Sequence, residues 1–385
     1  MDALDTFEID SRYGFLPKDP PLRSLPSPFE AWDEAGRELP KILLSNRVRA
    51  LLDDIPLLDH RKLNTRAEKE RAMVLLSFIG HGYVWGEPTP PTQLPKNLAV
   101  PWAGIAQELG RPPVLSYASY ALHNWRRLET NRTIEVGNIG LLQNFWGGVD
   151  EEWFILIHVA IEQAAAPAMI AAHALGEALE GGIYADLESH LKAIIESLKC
   201  SHAVLNEMTR YCDPYCYFHR VRPFIHGWKN HPVMVNGLLY EGVDRFNNQP
   251  QQFRGETGAQ SSIIPALDGI LKIRHEDDPL RQYLIEMKDY MPPRHRAFID
   301  AMEGTPNIRD VLVQRKASFP SEVDAYNEAV TWVEKFRTLH LDFAASYINQ
   351  QAQTSANNPS AVGTGGTPFM KYLKKHRDET SKHLL

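Results

Sequence analysis

The sequence predicts a mainly α-helical protein, in which a smaller N-terminal domain precedes a large all-helical domain. A chain of 385 residues is long enough for both. Apolar residues recur at the helical spacings of three and four along most of the chain after residue 103, whereas strand patterns are few. The proline cluster EPTPPTQLP at residues 87–95 is suited to connecting two domains. We therefore place the smaller domain at residues 1–102 and the larger at residues 103–385.

The same patterns predict the individual elements. The proline-rich residues 17–28 are expected to cross the surface as extended chain. The best strand candidate is RTIEVG at residues 132–137. Residues 349–367, rich in Gln, Ser, Asn, Thr and Gly, predict a mobile loop before a last helix at residues 368–375. Apolar spacing predicts the other helices over residues 29–38, 41–50, 65–80, 113–125, 150–179, 185–211, 261–273, 279–291, 292–303 and 321–348.

Composition and charge indicate a cytoplasmic globular protein. Hydrophobic residues make up 43% and charged residues 23%, which is typical of folded domains. A formal net charge of -7 without a long basic run argues against nucleic acid as a partner. The acidic start MDALDTFEIDSRYG is unlike a secretory signal, and apolar stretches such as WFILIHVAI are too short to span a membrane. Three cysteines, an odd and sparse count, suit a reducing compartment.

A single histidine in a late helix is the leading candidate for chemistry. His340 lies within AVTWVEKFRTLHLDFAASYI at residues 329–348, whose apolar side chains recur at helical spacing. An imidazole among aromatic side chains can serve as an axial haem ligand, and Arg337, one turn earlier, can pair with a haem propionate. Taken alone, the pattern favours a core histidine whose imidazole is satisfied by a backbone carbonyl.

The chain resembles the indoleamine 2,3-dioxygenase family along nearly its whole length. That family comprises haem enzymes that open the indole ring of tryptophan. The resemblance implies a dioxygenase that inserts both atoms of O2 across the indole C2=C3 bond of L-tryptophan or a related indoleamine. The product is N-formylkynurenine, in the first step of the kynurenine pathway. Separate segments in the family's order carry the resemblance: GFLP, YVWG, LPKNLAVPW, RPFIHGWK, GAQSSIIPALDGIL, FRTLHLDFAASYI and GTGGTPFMKYLKKHRDET.

The resemblance also implies a haem site. The cofactor is haem b, ferrous in the active form, and His340 is the axial ligand of its iron. Arg337 pairs with a propionate or with Asp268, and Gly258 and Ile264 lie against the haem. The alternative for Arg337 and Asp268 is an ordinary surface ion pair, which contributes little to stability. An external reductant and a monomeric chain are implied as well.

On the substrate side, the resemblance assigns the carboxylate of tryptophan to Arg222 in YFHRVRPF, because a bidentate arginine matches a carboxylate. The alternative is a surface arginine. The loop at Thr257 and Gly258 runs along the distal face of the haem, and Thr364 in GTGGT closes over the amino-acid end of the substrate. A flexible tail would look the same as GTGGT. Aromatic side chains should wall the indole, although plain core packing is the alternative: Tyr117, Tyr120, Phe154, Tyr217 and Phe218.

The chain departs from the family at several positions of this site. Animal members carry a serine where this chain has His158, and we expect its imidazole to act in catalysis by bonding the indole N–H or dioxygen. The alternatives are ligation of the iron from the distal side and a hydrogen bond to Glu162, four residues later. Tyr217 replaces a phenylalanine and adds a hydroxyl to the pocket wall. In the loop GETGAQSS, Glu256 and Thr257 are bulkier or more polar than the small residues expected.

Other classes of function stay open. A zinc site would use Cys212, Cys216, His219 and His226, although the C-x3-C-x2-H spacing departs from common zinc pairs. A non-catalytic or weakly active haem- or indole-binding protein of the same fold is a second alternative, with His158 capping the iron. A helical interaction protein without a cofactor is the third.

Overall fold

The computed structural model describes residues 1–351 and 363–385, and these are mainly α-helical, as the sequence predicts. Residues 352–362, in the predicted mobile loop, lie outside the described residues. The α-helices are α1 (Glu30–Leu43), α2 (Val48–Asp53), α3 (Arg66–Trp85), α4 (Lys96–Leu109), α5 (Val149–Gly181), α6 (Leu187–Asn206), α7 (Pro214–Cys216), α8 (Arg222–Ile225), α9 (Ile263–Leu271), α10 (Pro279–Lys288), α11 (Pro293–Gly304), α12 (Ile308–Arg315), α13 (Pro320–Ala344) and α14 (Phe369–Thr380).

Helix α4 is an element that the sequence patterns did not predict. It continues through Pro101 and ends at Gly110, whose φ of 68° is a left-handed conformation that favours glycine. The helix therefore runs across residue 102, where we placed the end of the smaller domain. Its buried face joins α1 and α3 in a core that also takes in Phe145 and Trp228 from later in the chain. The division at residue 102 stays a prediction.

Two pairs of short strands occur within the described residues. β1 (Gln93–Leu94) pairs in parallel with β4 (Leu239–Tyr240), and β2 (Trp125–Arg127) pairs antiparallel with β3 (Ile139–Leu141). The predicted strand at residues 132–137 is wrong, because this segment is the turn that joins β2 to β3. The Asn138 amide donates to the carbonyls of Glu129 and Thr133 at 3.1 and 2.8 Å. It thereby satisfies carbonyls that a neighbouring strand would otherwise have to satisfy.

The described residues contain three π-helical turns: Ala118–Leu122, Tyr217–Val221 and Ala345–Asn349. The helix predicted over residues 113–125 reduces to the first of these, because prolines precede it and β2 begins at Trp125. The second turn leads directly into α8, which begins at Arg222. Each turn adds one residue to a helical repeat, a feature that is frequent at functional sites.

Helix α5 is the central element of the larger core. It packs against α6 and α9 and buries the side chains of Ile157, Met169 and Leu175. Of the described helices, α5 alone is long and apolar enough to cross a membrane, but 67% of its most apolar window is buried inside the protein. Burial among other helices explains its composition.

His81 on α3 bonds two segments that come later in the chain. Its imidazole is fully buried, its Nδ1 lies 2.7 Å from the Phe224 carbonyl, and its Nε2 accepts the Leu115 N–H at 2.9 Å. The carbonyl can only accept, so Nδ1 carries the proton. Burial lowers the pKa of His81 to about 4, which keeps the ring neutral. One imidazole thus fixes α8 and the segment that leads to Tyr117.

We expect His81→Leu to lower the free energy of unfolding by about 2–4 kcal/mol, because it leaves the Leu115 N–H and the Phe224 carbonyl buried without partners. Urea unfolding followed by circular dichroism measures the loss. His190→Leu on α6 is the control, since no hydrogen bond of its imidazole occurs in the described structure. Equal losses in the two variants would contradict the bridging role of His81.

Candidate active site

A cavity of about 740 Å³ lies between α5, α9 and α13. Most of the residues that the sequence singled out line it, from segments more than two hundred residues apart. Of the predicted residues, Tyr120, Phe218 and Arg222 are not on its wall. Those that line it are Tyr117, Phe154, His158, Tyr217, Thr257, Gly258, Ile264, Asp268, Arg337, His340 and Thr364.

His340 projects from α13 into the cavity. Its side chain is accessible, but the surface that it exposes belongs to the cavity wall rather than to the outside of the protein. Burial within the fold, and secondly the charge of His158, lower its pKa to about 4, so the imidazole is neutral. No hydrogen bond joins this ring to any part of the described chain. The interpretation as a core histidine held by a carbonyl is therefore wrong.

Arg337 and Asp268 form the predicted ion pair beside this imidazole, joining α13 to α9. Arg337 is only 9% exposed, so the pair is not an ordinary surface contact. Burial raises the pKa of Asp268, but Arg337 and His275 outweigh it and hold the pKa below its ordinary value. His275 also lies 2.6 Å from Glu379 on α14, which extends the network to the C-terminal helix.

His158 lies on α5 and lines the same cavity. Its Nδ1 is 2.7 Å from the Phe154 carbonyl, so Nδ1 carries the proton and Nε2 keeps a lone pair. Burial lowers its pKa and keeps the ring neutral. Glu162 instead accepts a hydrogen bond from Ser261 at 2.8 Å and another from Tyr117. The expected alternative of a His158–Glu162 hydrogen bond is therefore wrong.

Aromatic rings form one wall of the cavity. The Phe154 ring lies 4.6 Å from that of Tyr217 and 4.7 Å from that of His158, centroid to centroid. Tyr120 stands behind this wall, with its ring 5.8 Å from Phe78. Its hydroxyl is buried and has no partner within the described structure. A direct contact of Tyr120 with a ligand stays a prediction that the wall as described does not favour.

Arg222 is fully buried, so the alternative of a surface arginine is wrong. Its guanidinium carbon lies 5.4 Å from the centre of the Phe218 ring. Burial lowers its pKa to about 10, against a smaller opposing effect of Tyr217. The guanidinium therefore keeps its charge at neutral pH. It lies behind Tyr217, which lines the cavity.

The GTGGT segment, Gly363 to Thr367, is anchored against this site. The Thr364 hydroxyl donates to the Glu256 carbonyl at 2.5 Å, and the Arg254 guanidinium donates to the Gly365 carbonyl at 2.6 Å. A Cβ on Gly366, whose φ is 76°, would lie 2.4 Å from the Lys229 carbonyl oxygen. No residue larger than glycine fits at this position without a shift of the backbone.

Glu256 is a residue of the cavity wall to which the sequence assigned no role. It is 3% exposed, and burial raises the pKa of its carboxyl to about 8. Across the described chain its carboxyl oxygens have neither a hydrogen bond nor an ion pair. The only signal in the sequence was a charged residue in GETGAQSS, where small ones were expected.

The proposed zinc ligands do not form a metal site. Residues 1–351 and 363–385 contain no cluster of three or more His, Cys, Asp or Glu side chains placed to hold a metal ion. Cys212 is buried, and burial raises the pKa of its thiol, which opposes the thiolate that zinc requires. The His226 ring lies 5.3 Å from the His231 ring instead.

Comparisons with known proteins agree with this geometry. A family model described as indoleamine 2,3-dioxygenase matches residues 3–383. Indoleamine 2,3-dioxygenase 1 of Rattus norvegicus is 34% identical over 99% of this chain and 96% of its own. Indoleamine 2,3-dioxygenase 2 of Homo sapiens is 33% identical over 100% and 96%. Indoleamine 2,3-dioxygenase of Saccharomyces cerevisiae is 31% identical over 99% and 93%.

We expect Arg254→Met to loosen the GTGGT segment, because it removes the bond to Gly365 and the 2.7 Å ion pair with Glu286. Amide hydrogen exchange of peptides covering residues 363–367 should accelerate by about tenfold, without change in α3. Arg245→Met removes a comparable bond to the Ala103 carbonyl and is the control. Unchanged exchange in Arg254→Met would show that the segment is held by other contacts.

Proposed function

This chain belongs to the indoleamine 2,3-dioxygenase family, and on that premise we propose that it inserts both atoms of O2 across the indole C2=C3 bond of L-tryptophan. The product is N-formylkynurenine, so the reaction is the first step of the kynurenine pathway. The family is one of oxidoreductases, so the chain is an enzyme of that class. The observation that carries the proposal is the neutral, unbonded imidazole of His340 inside the cavity.

The residues of the cavity fit a haem. His340 offers a neutral ring nitrogen, the form that binds iron, on a wall that also contains Phe336, Phe343 and Ile264. Arg337 supplies a cation beside it, suited to a propionate as well as to Asp268. We assign haem b, which His340 would hold through its ring nitrogen, with Gly258 also lining the cavity. When bound in the ferrous form, the haem supplies the activation of O2.

The chain itself binds and orients the substrate. We assign the carboxylate of tryptophan to Arg222, which is not itself on the described cavity wall but keeps its charge at neutral pH and interacts electrostatically with Tyr217, a residue of that wall. The indole packs against Tyr117 and Phe154, with Phe218 supporting Arg222 from behind. The Gly363–Thr367 segment covers the amino-acid end and excludes water, and Thr364 holds it to the wall.

His158 is the proposed catalytic partner of the indole. Because its Nδ1–H is committed to the Phe154 carbonyl, its Nε2 can accept the indole N–H. That hydrogen bond draws electron density towards the indole carbons that react with oxygen. It also fixes the orientation of the indole in the cavity. A serine at this position, as in animal relatives, would offer a smaller and more mobile acceptor.

We further propose that the enzyme works as a monomer in the cytoplasm, with O2 as co-substrate and an external reductant that keeps the iron ferrous. The net charge of -7 favours neither a nucleic-acid nor an anionic membrane partner.

A second candidate function is non-catalytic binding of haem or indole. The observation that favours it is the electrostatic proximity of His158 to His340 in one cavity, since two imidazoles can bind one haem iron.

One experiment distinguishes the two functions. Haem-reconstituted protein is reduced without oxygen and is then given L-tryptophan, followed by air. Steady N-formylkynurenine formation, read by near-ultraviolet absorbance and absent without haem, supports the dioxygenase. A six-coordinate ferrous spectrum unchanged by tryptophan, with no product, supports the binding protein.

We expect His340→Ala to abolish haem retention and activity while the fold persists, because the side chain makes no bond to the described protein. Haem absorbance per chain and far-ultraviolet circular dichroism measure the two effects. His202→Ala removes an imidazole that packs on Trp332 outside the cavity and is the control. An unchanged haem load in His340→Ala would overturn the ligand assignment.

We expect Arg222→Ala to raise the L-tryptophan concentration for half-saturation at least about thirtyfold, because the carboxylate loses a buried bidentate cation. The haem content should stay the same. The control is Arg220→Ala, which removes an exposed arginine two residues away. Unaltered tryptophan saturation would exclude Arg222 as the anchor.

A further inference from the structure

We propose that Glu256 binds the ammonium group of the substrate and so restricts this enzyme to indoles that carry a free amino group. The inference rests on the proposed function and names the part of the site that reads the amino end of the ligand. It concerns a residue whose side chain faces the cavity without any partner from the described protein.

The isolation of Glu256 is exceptional among the buried glutamates of the described chain. A buried carboxyl that lacks a partner costs free energy, because it gives up hydration without compensation. Every other buried glutamate has a partner within hydrogen-bonding distance: Glu70 with Arg111, Glu151 with three backbone N–H groups, Glu162 with Ser261, Glu322 with Arg315 and Glu379 with His275. We infer that the partner of Glu256 arrives with the ligand.

Glu256 and Arg222 both lie close enough to Tyr217 to act on its hydroxyl. Burial raises the pKa of the Tyr217 hydroxyl, Arg222 lowers it and Glu256 raises it further, so both charges act on the same phenol. Arg222 and Glu256 are nevertheless not an ion pair with each other. The guanidinium of Arg222 and the carboxyl of Glu256 are thus near one aromatic residue without pairing with each other. Such an arrangement matches the carboxylate and the ammonium of one amino acid.

The backbone fixes the position of Glu256 relative to Arg222. The Glu256 N–H donates to the Ile225 carbonyl at 3.0 Å, which ties it to the end of α8. Next to it, Gly255 crosses Gly227 so closely that a Cβ on Gly255 would lie 2.1 Å from the Gly227 nitrogen. A crossing without room for a Cβ leaves the neighbouring carboxyl little freedom to move away.

The GTGGT segment is anchored to the backbone beside this carboxyl. Thr364 bonds the backbone carbonyl of Glu256, and the hydroxyl of Tyr283 is hydrogen-bonded with Thr257 and Thr367. The hydroxyl of Thr364 is thus already engaged with the protein, whereas the carboxyl of Glu256 is still available to accept a hydrogen bond from a cation. Because Glu256 is buried, that charge-assisted bond is stronger than it would be at a surface.

Binding of L-tryptophan and of indole-3-propionate, which lacks the ammonium, tests the proposal on the haem-loaded protein without oxygen. Calorimetry should find that Glu256→Gln weakens L-tryptophan about tenfold or more and indole-3-propionate less than about twofold. Glu256→Asp keeps the charge and should retain more of the preference for L-tryptophan. Glu328→Gln, a surface carboxyl paired with Lys199, should leave both affinities unchanged.

Each outcome decides between a bond to the ammonium and a structural role. Equal losses for both ligands, or no loss for either, overturn the proposal. Because Glu256→Gln is nearly isosteric, an unchanged haem load confirms that the variant folds. A wild-type protein that forms no N-formylkynurenine overturns the proposed function, yet a selective loss of L-tryptophan binding in the variant still supports Glu256. Wild-type protein that binds neither ligand overturns both.

Discussion

The ion pair between Arg337 and Asp268 is the interaction on which the geometry of the site depends. It joins α13, the helix that carries His340, to α9, and Arg337 also donates to Thr380 on α14. Because α14 directly follows the GTGGT segment, one guanidinium fixes both the helix that presents the imidazole and the far anchor of the segment that covers the ligand. The helix that carries His340 and the helix that anchors the GTGGT segment are therefore coupled through a single buried charge.

Apart from this ion pair, three ionisable side chains of the cavity wall are held in neutral forms. Burial lowers the pKa of His158 and His340 and raises that of Glu256. Neutral imidazoles retain the lone pairs that iron or an indole N–H requires. A neutral carboxyl tolerates an apolar neighbour and ionises when a cation arrives. The polarity of the wall thus changes with its ligand, which suits a molecule that is apolar at one end and zwitterionic at the other.

Periodicity and family resemblance predict the long helices, the position of His340 and the ion pair of Arg337 with Asp268, because these depend on residues within one helix or on well-marked motifs. The predictions fail where groups far apart in the sequence determine the local structure. The side chain of Asn138 turns residues 132–137 into a loop, although their composition favours a strand. The short π-turn after Tyr117 puts that residue on the cavity wall and Tyr120 behind it. Glu256 has no partner because no basic side chain from a distant segment of the described chain reaches its carboxyl. A local sequence pattern cannot predict this.

The π-turn at Tyr217–Val221 has a consequence for how such sites diverge. Each residue turns an α-helix by about 100°, so the loss of one residue there would restore a regular helix and swing Arg222 through about a quarter of a circle. Arg222 would then be the same residue but would face another element of the fold. Insertions and deletions of one residue, rather than exchanges of side chains, are therefore the most direct way for related chains to re-aim this buried charge.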